Sequence, residues 1–246
     1  MRQAILKIVL LLFGLTATCS QPPKQVQRTE SKVRIQKIEK KEIKEAIVDP
    51  NEEMISEIIE VWELFFKDAN VGRKDPRRKR FHEFASYLAQ AIRIYQNQEI
   101  TINGRKARLP KDKNIHILLA VLITKESSVK YDVVGTSPRF EVGLMQVWGV
   151  ALNGYDKETV KQNPELGILL GVRWIAYMTS LCKPYRVGQD KEEWRTTDWL
   201  GPLTMYGAKP SKVWIDKKKK TCRIFPFARK RIKLTLFYRK RIKNNS

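Results

Sequence analysis

The stretch Asn114-Ile115-His116-Ile117-Leu118-Leu119-Ala120-Val121-Leu122-Ile123-Thr124-Lys125-Glu126-Ser127-Ser128 decides the fold class. Between Ile115 and Ile123, His116 is the single polar residue, so the segment is apolar on nearly every side. A helix of that kind belongs inside a protein, with neighbours all round it. A strand of a parallel sheet is the alternative reading, but the length favours a helix. Its last turn carries Glu126. A carboxyl at that end meets the partial negative charge of the helix C-terminus and little water. Both effects tend to hold a proton, the state in which a carboxyl can act as a general acid. On spacing alone, a solvated glutamate at an ordinary helix end is the better reading, and the case for the acid rests on the residues downstream.

Helical signals lie on both sides of this segment. Asp49-Pro50-Asn51-Glu52 is a helix start, with a capping aspartate and a proline at the first helical position. Met54, Ile55, Ile58, Ile59, Trp62 and Phe65 then recur at helical spacing. A basic loop at 71–80 separates them from a second helix, predicted over 81–96 with Phe84, Leu88, Ile92 and Tyr95 on one side. Residues 100–109 alternate weakly around Asn103-Gly104, a hairpin or loop signal. Residues 164–178 form another helix with Leu166, Leu169, Leu170, Trp174 and Tyr177 on its faces. The fold class is mainly α, with one domain over 49–215, a tether over 20–48 and a basic tail over 216–246.

Charge and the N-terminus bound the surroundings. Among the 246 residues, Lys and Arg total 48 against 26 Asp and Glu, a formal charge of +22. Such a surface attracts polyanions without choosing among nucleic acid, anionic lipid and anionic wall polymer. Residues 217–246 hold 13 of the Lys and Arg and no acid, interleaved with Phe225, Phe227, Ile232, Leu234, Leu236, Phe237 and Tyr238. That mixture suits an anionic membrane surface or envelope polymer; stacking on nucleic acid is less favoured, and a solvated tail is the simplest alternative. Arg2 and Lys7 precede the apolar run 8–15 and a small-residue exit at 16–20, which reads as a secretory signal over 1–19. Leu15-Thr16-Ala17-Thr18-Cys19 resembles a bacterial lipobox, with Thr18 as a departure; the resemblance implies lipidation at Cys19. An uncleaved signal-anchor is the alternative. Either way the expectation is an exported, periplasmic, membrane-held protein. Cys182 and Cys222 remain, either paired in a disulfide worth about 3–4 kcal/mol or as two unpaired thiols.

The acid is followed, 17 residues on, by Gly143-Leu144-Met145-Gln146-Val147. Together with Glu126-Ser127-Ser128, Asn163-Pro164, Ile168, Gly171, Trp174-Ile175 and Pro202-Leu203-Thr204-Met205-Tyr206-Gly207-Ala208, this pattern resembles the soluble-type lytic murein transglycosylases. These belong to the lysozyme-like superfamily, close to goose-type lysozyme, and the resemblance covers residues 114–213. It implies a lysozyme-like helical domain that takes peptidoglycan glycan strands and needs no cofactor or metal. Glu126 would be the sole acid/base, cleaving the β-1,4 bond between N-acetylmuramic acid and N-acetylglucosamine without water to leave a 1,6-anhydro ring. Ser127 would orient the carboxyl or a sugar hydroxyl, Gly143 would allow close backbone approach, Met145 and Gln146 would line the cleft, and Tyr206 would be a partner of the acid. Two positions depart from the family pattern: Gly207 replaces the usual Asn, and Gly167 stands where the Asn of an Asn-Ile pair is expected.

Other chemistries find little support. His82 and His116 make no metal-ligand spacing, and no glycine-rich phosphate loop follows a strand. If Asp132, Glu141 or Asp156 directs a water, the same substrate would be hydrolysed by a muramidase. An inactive lysozyme-like body that binds polyanions through its tail is the rival from another class. Deleting residues 217–246 abolishes polyanion binding if that rival holds, and leaves turnover of soluble substrate largely intact if the enzyme reading holds and the tail is a separate arm.

Overall fold

The computed structural model describes residues 52–111, 114–136, 141–181, 214–216, 221–222 and 226–245, with side chains in the last of these from 230 to 244. In chain order the described helices are α1 (Glu52–Asp68), α2 (Phe81–Asn97), α3 (Ile115–Ser127), α4 (Lys157–Gln162), α5 (Pro164–Leu181) and α6 (Pro226–Asn245). Two short antiparallel pairs accompany them, β1 (Ile100–Ile102) with β2 (Arg105–Ala107), and β3 (Trp214–Asp216) with β4 (Thr221–Cys222). The described chain is mainly helical, as composition and periodicity indicate.

The apolar run forms α3, and every residue from Ile115 to Thr124 is buried. Helix α1 packs along it, and α6 covers another side. The Trp62 indole of α1 donates to the Ala120 carbonyl of α3 at 3.2 Å. His116, the polar interruption, meets Glu57 of α1 through its Nε2, so the buried ring keeps a partner. Removing one buried leucine side chain here costs about 2–5 kcal/mol, a large share of an ordinary domain's 5–15 kcal/mol.

Helices α2 and α5 form the other major contact, with the β1–β2 hairpin against α5. That hairpin turns at Asn103 and Gly104, which have φ of +51° and +72°, as a two-residue mirror-image turn demands. The basic loop becomes a 3-10 turn at Pro76–Arg80 whose arginines serve the fold. Arg77 and Asp75 pair through two side-chain bonds of 2.8 and 2.7 Å, and Arg78 meets Glu63. The Arg77 guanidinium also lies 4.4 Å from the Phe66 ring centre, and that of Arg80 4.2 Å from Tyr131. Asp75–Arg77 holds the Asp75 carboxyl down at about 2.

The C-terminal segment corrects the sequence reading. The boundary set at 215/216 is crossed by the β3–β4 pair, where Trp214 stands opposite Cys222 and Asp216 opposite Thr221. Beyond it, α6 buries Ile232, Thr235, Tyr238 and Ile242 against α3 and α1. Arg241 clasps Asp68 of α1 at 2.8 and 2.7 Å, and burial beside Asp68 pushes the Tyr238 hydroxyl up to about 12. The basic residues hid an amphipathic helix whose outer face is cationic and whose inner face joins the core. The signal at 1–19, Cys19, the tether, the Asp49-Pro50 cap, Cys182 and Tyr206 with its segment lie outside the described residues, as does the Cys222 side chain.

Two glycines of α5 separate by what surrounds them. A methyl at Gly167 would make ordinary contacts of 3.7 Å with Val160, whereas one at Gly171 would stand 2.5 Å from Met145 Sδ and 2.6 Å from its Cβ. Gly167→Ala is expected to raise stability by about 0.5–1 kcal/mol, and Gly171→Ala to lower it by about 1–3 kcal/mol, both read by denaturant unfolding. Because α6 completes the core, deleting residues 217–246 is expected to destroy the cooperative unfolding transition, contrary to the separable-arm expectation.

Candidate active site

Glu126 sits on the last turn of α3, and the chain leaves that helix through two consecutive left-handed residues, Ser128 (φ +52°) and Val129 (φ +61°). A β-branched residue pays about 1–2 kcal/mol for that conformation, offset here because the Val129 side chain is fully buried. Arg77 fastens the turn from the side by donating to the Ser128 carbonyl at 2.9 Å. The acid is therefore displayed from a helix end that packing, strain and a hydrogen bond hold in place.

The Gly-Leu-Met-Gln run forms the facing wall. Val142 and Val147 exchange backbone hydrogen bonds at 3.0 Å, closing a tight turn in which Gly143 has φ of +78° and Gln146 +46°. Space at Gly143 is ample, with the nearest atom 3.8 Å from a built methyl. Glycine is needed there for its backbone angle, not for close approach. Gln146 lines the cleft, yet its amide nitrogen donates to the carbonyls of Gly143 (2.8 Å) and Val133 (3.2 Å). It ties the turn down. The Gly135 amide donates to the Glu141 carbonyl at 2.7 Å, and a methyl at Gly135 would stand 2.5 Å from Glu141 Oε2.

Between these elements lies a cleft of about 330 Å3, open solvent at its mouth included, lined by Glu126, Glu141, Gln146, Val147, Trp148, Ala151 and Trp174. Two indoles and two carboxyls dominate the lining, an arrangement of flat apolar faces beside proton-carrying groups. Burial pushes the Glu126 carboxyl above its ordinary value; the charge and hydrogen bond of Arg231 pull it down, Glu141 pushes it further up, and the net direction is upward. Arg231 of α6 meets Glu126 Oε1 through Nη2, and both side chains are largely buried.

The other sequence-derived assignments separate here. Ser127 is buried and donates to the Ile123 carbonyl at 3.1 Å, so its hydroxyl serves the helix and not the cleft. Met145 is fully buried beneath Gly171 and stands behind the wall instead of lining it. Of the carboxylates considered for directing water, Glu141 lines the cleft. Asp156 caps α4 by accepting from the Thr159 amide (2.8 Å) and hydroxyl (2.6 Å), and Asp132 is exposed. Among the described residues no group of three His, Cys, Asp or Glu could hold a metal ion. Sequence reasoning missed Trp148, two places after Gln146, where its nearness to the motif was the available signal. It also missed Arg231, 105 residues from Glu126, for which no local signal exists.

No protein-family model, no curated protein and no solved structure matches the chain.

The raised proton affinity of Glu126 has a sign that stability can read. In the unfolded chain the carboxyl ionises at its ordinary value, so folding is penalised at neutral pH and the penalty fades as pH falls through the higher folded value. Glu126→Gln, a neutral mimic of the protonated acid, is expected to match or exceed the parent's melting temperature at pH 7. The difference should shrink as pH falls toward 4, as measured by thermal unfolding across that range.

Proposed function

We propose that this chain is a peptidoglycan lytic transglycosylase with a lysozyme-like body, in which Glu126 acts alone as acid and then base. The observation that carries the reading is a largely buried carboxyl of raised proton affinity at a helix end, opening into a cleft walled by Trp148, Trp174 and Gln146. The protonated Glu126 donates to the glycosidic oxygen as the bond to the muramyl C1 breaks. The muramyl N-acetyl group stabilises the cationic centre. The carboxylate then takes the proton from the C6 hydroxyl, whose oxygen closes onto C1. Acid and base return to the starting state, and no water is consumed. Sugar rings have apolar faces that suit the two indoles.

In this reading the protein is exported and held at the membrane through Cys19 or an uncleaved signal. Among the described residues no helix is long and apolar enough to cross a membrane. The outer face of α6 exposes Lys230, Lys233, Phe237, Lys240 and Lys243, a cationic stripe with one aromatic that suits an anionic envelope surface.

A second reading has one observation in its favour. Glu141 shares the cleft with Glu126, so a water directed by Glu141 would make the enzyme a muramidase hydrolase with the same substrate.

Digestion of purified sacculi with mass analysis separates these. The expected products are anhydromuropeptides, reduced about 10²- to 10⁴-fold in Glu126→Gln and retained in Glu141→Gln. Reducing-end muramic acid that disappears in Glu141→Gln would establish the hydrolase. Intact sacculi together with salt-sensitive polyanion binding would leave a binding module on this fold.

A further inference from the structure

We infer that Arg231, supplied by the C-terminal basic segment, is a positioning residue for Glu126, so that the last helix completes the active site. The inference rests on the proposed role of Glu126. Its geometric basis is independent of that role.

Arg231 is not a surface cation that happened to find an acid. Helix α6 is seated by Ile232, Thr235, Tyr238 and Ile242 on one face and by the Arg241–Asp68 clasp farther along. Thr235 accepts no slack in the turn that carries Arg231, since its hydroxyl donates to the Arg231 carbonyl at 2.9 Å. The guanidinium reaches Glu126 from this fixed base, with side-chain exposures of 14% and 18% for the two partners. Pairs so deeply placed are weak contributors to stability, because desolvation offsets attraction, and apolar side chains fill such sites as well or better. Packing alone therefore gives little reason for an arginine at this point.

The chemistry of a single carboxyl gives one. Glu126 has to point one way while its proton leaves and returns, and a planar guanidinium holds a carboxylate in a defined orientation. The same carboxyl must be both a fair acid and a fair base. Burial and Glu141 favour the protonated form, and Arg231 opposes them, which brings the group toward the balance that acid–base catalysis favours. Two other cations near this helix end are engaged elsewhere: Lys125 faces the Phe65 ring at 5.6 Å, and Arg77 holds Asp75 and the Ser128 carbonyl. Lys130, Tyr131 and Asp132 follow in the loop, and of the described carboxylates Glu141 is the one that raises the proton affinity of Glu126.

The experiment compares the full chain with Arg231→Met, Arg231→Lys and Glu126→Gln on soluble peptidoglycan fragments, with circular dichroism and melting temperature recorded for each. Arg231→Met keeps the aliphatic stem and removes the charge. Its kcat is expected to fall about 10- to 100-fold with KM little changed. Its alkaline activity limb should move to higher pH, because burial and Glu141 then act unopposed. Arg231→Lys should restore the limb and part of kcat. A folded Arg231→Met with the parent's kcat and pH profile overturns the inference. So does a fall in kcat with an unmoved limb that Arg231→Lys does not rescue, since that is what a purely structural arginine would give. If the parent is inactive, or Glu126→Gln remains active, the role of Glu126 fails instead. The contact is then still decided by carboxyl titration with 13C-labelled glutamate, where Arg231→Met must shift Glu126 upward if Arg231 acts on it.

Discussion

Helix α3 has no face that can meet water, and the rest of the molecule is arranged around that constraint. A helix buried from Ile115 to Thr124 must be covered on every side, because each exposed leucine or isoleucine forfeits roughly 1.5–3 kcal/mol of burial. Helix α1 supplies one cover, with Trp62 and Glu57 answering the polar groups that α3 presents to it. Helix α6 supplies another from the far end of the chain. The same demand explains why Glu126, one turn beyond the last apolar residue, is itself mostly enclosed. An acid at the end of such a helix inherits its surroundings.

That inheritance creates an electrostatic conflict at one carboxyl. Burial and Glu141 favour the protonated form of Glu126, while Arg231 favours the ionised form, and burial prevails. A solvated helix end would have left the group near its ordinary value, with screening by water dulling both neighbours. In the cleft the two influences are stronger because the Glu126 and Arg231 side chains are largely buried. The backbone around the acid is equally committed. Two left-handed residues, one of them the buried Val129, turn the chain away immediately after the helix, and Arg77 ties that turn to the aromatic cluster of α1 and α2. Strained backbone of this kind persists where the surrounding packing over-determines it.

Much of this was legible in advance. Periodicity located α2 and α5 to within a few residues, Asn103-Gly104 marked the hairpin, and the unbroken apolar run identified the buried central helix. Glu126 was singled out by the Gly-Leu-Met-Gln run that follows it, and Gly143 for close backbone approach, where the structure shows instead that its turn needs a positive φ. The individual duties of nearby polar groups were not legible. Ser127 and Gln146 have hydroxyl and amide groups that could equally serve a ligand or the backbone, and only their hydrogen-bond partners decide between the two. Met145 could line a cleft or pack under a glycine; the absent side chain of Gly171 made the second arrangement available.

The C-terminal segment shows where sequence reading ends. Its composition announced positive charge, and that charge concealed a helical repeat of Ile232, Thr235, Tyr238 and Ile242 among the lysines and arginines. From sequence alone, the helical class and the central helix were determined, since each follows from the order of neighbouring residues. The tertiary structure alone decided which carboxylate joins Glu126 in the cleft, which indoles wall it, and that an arginine 105 residues away holds that acid. Those relations depend on which helix covers which, and contacts across such separations leave no periodic trace in the chain.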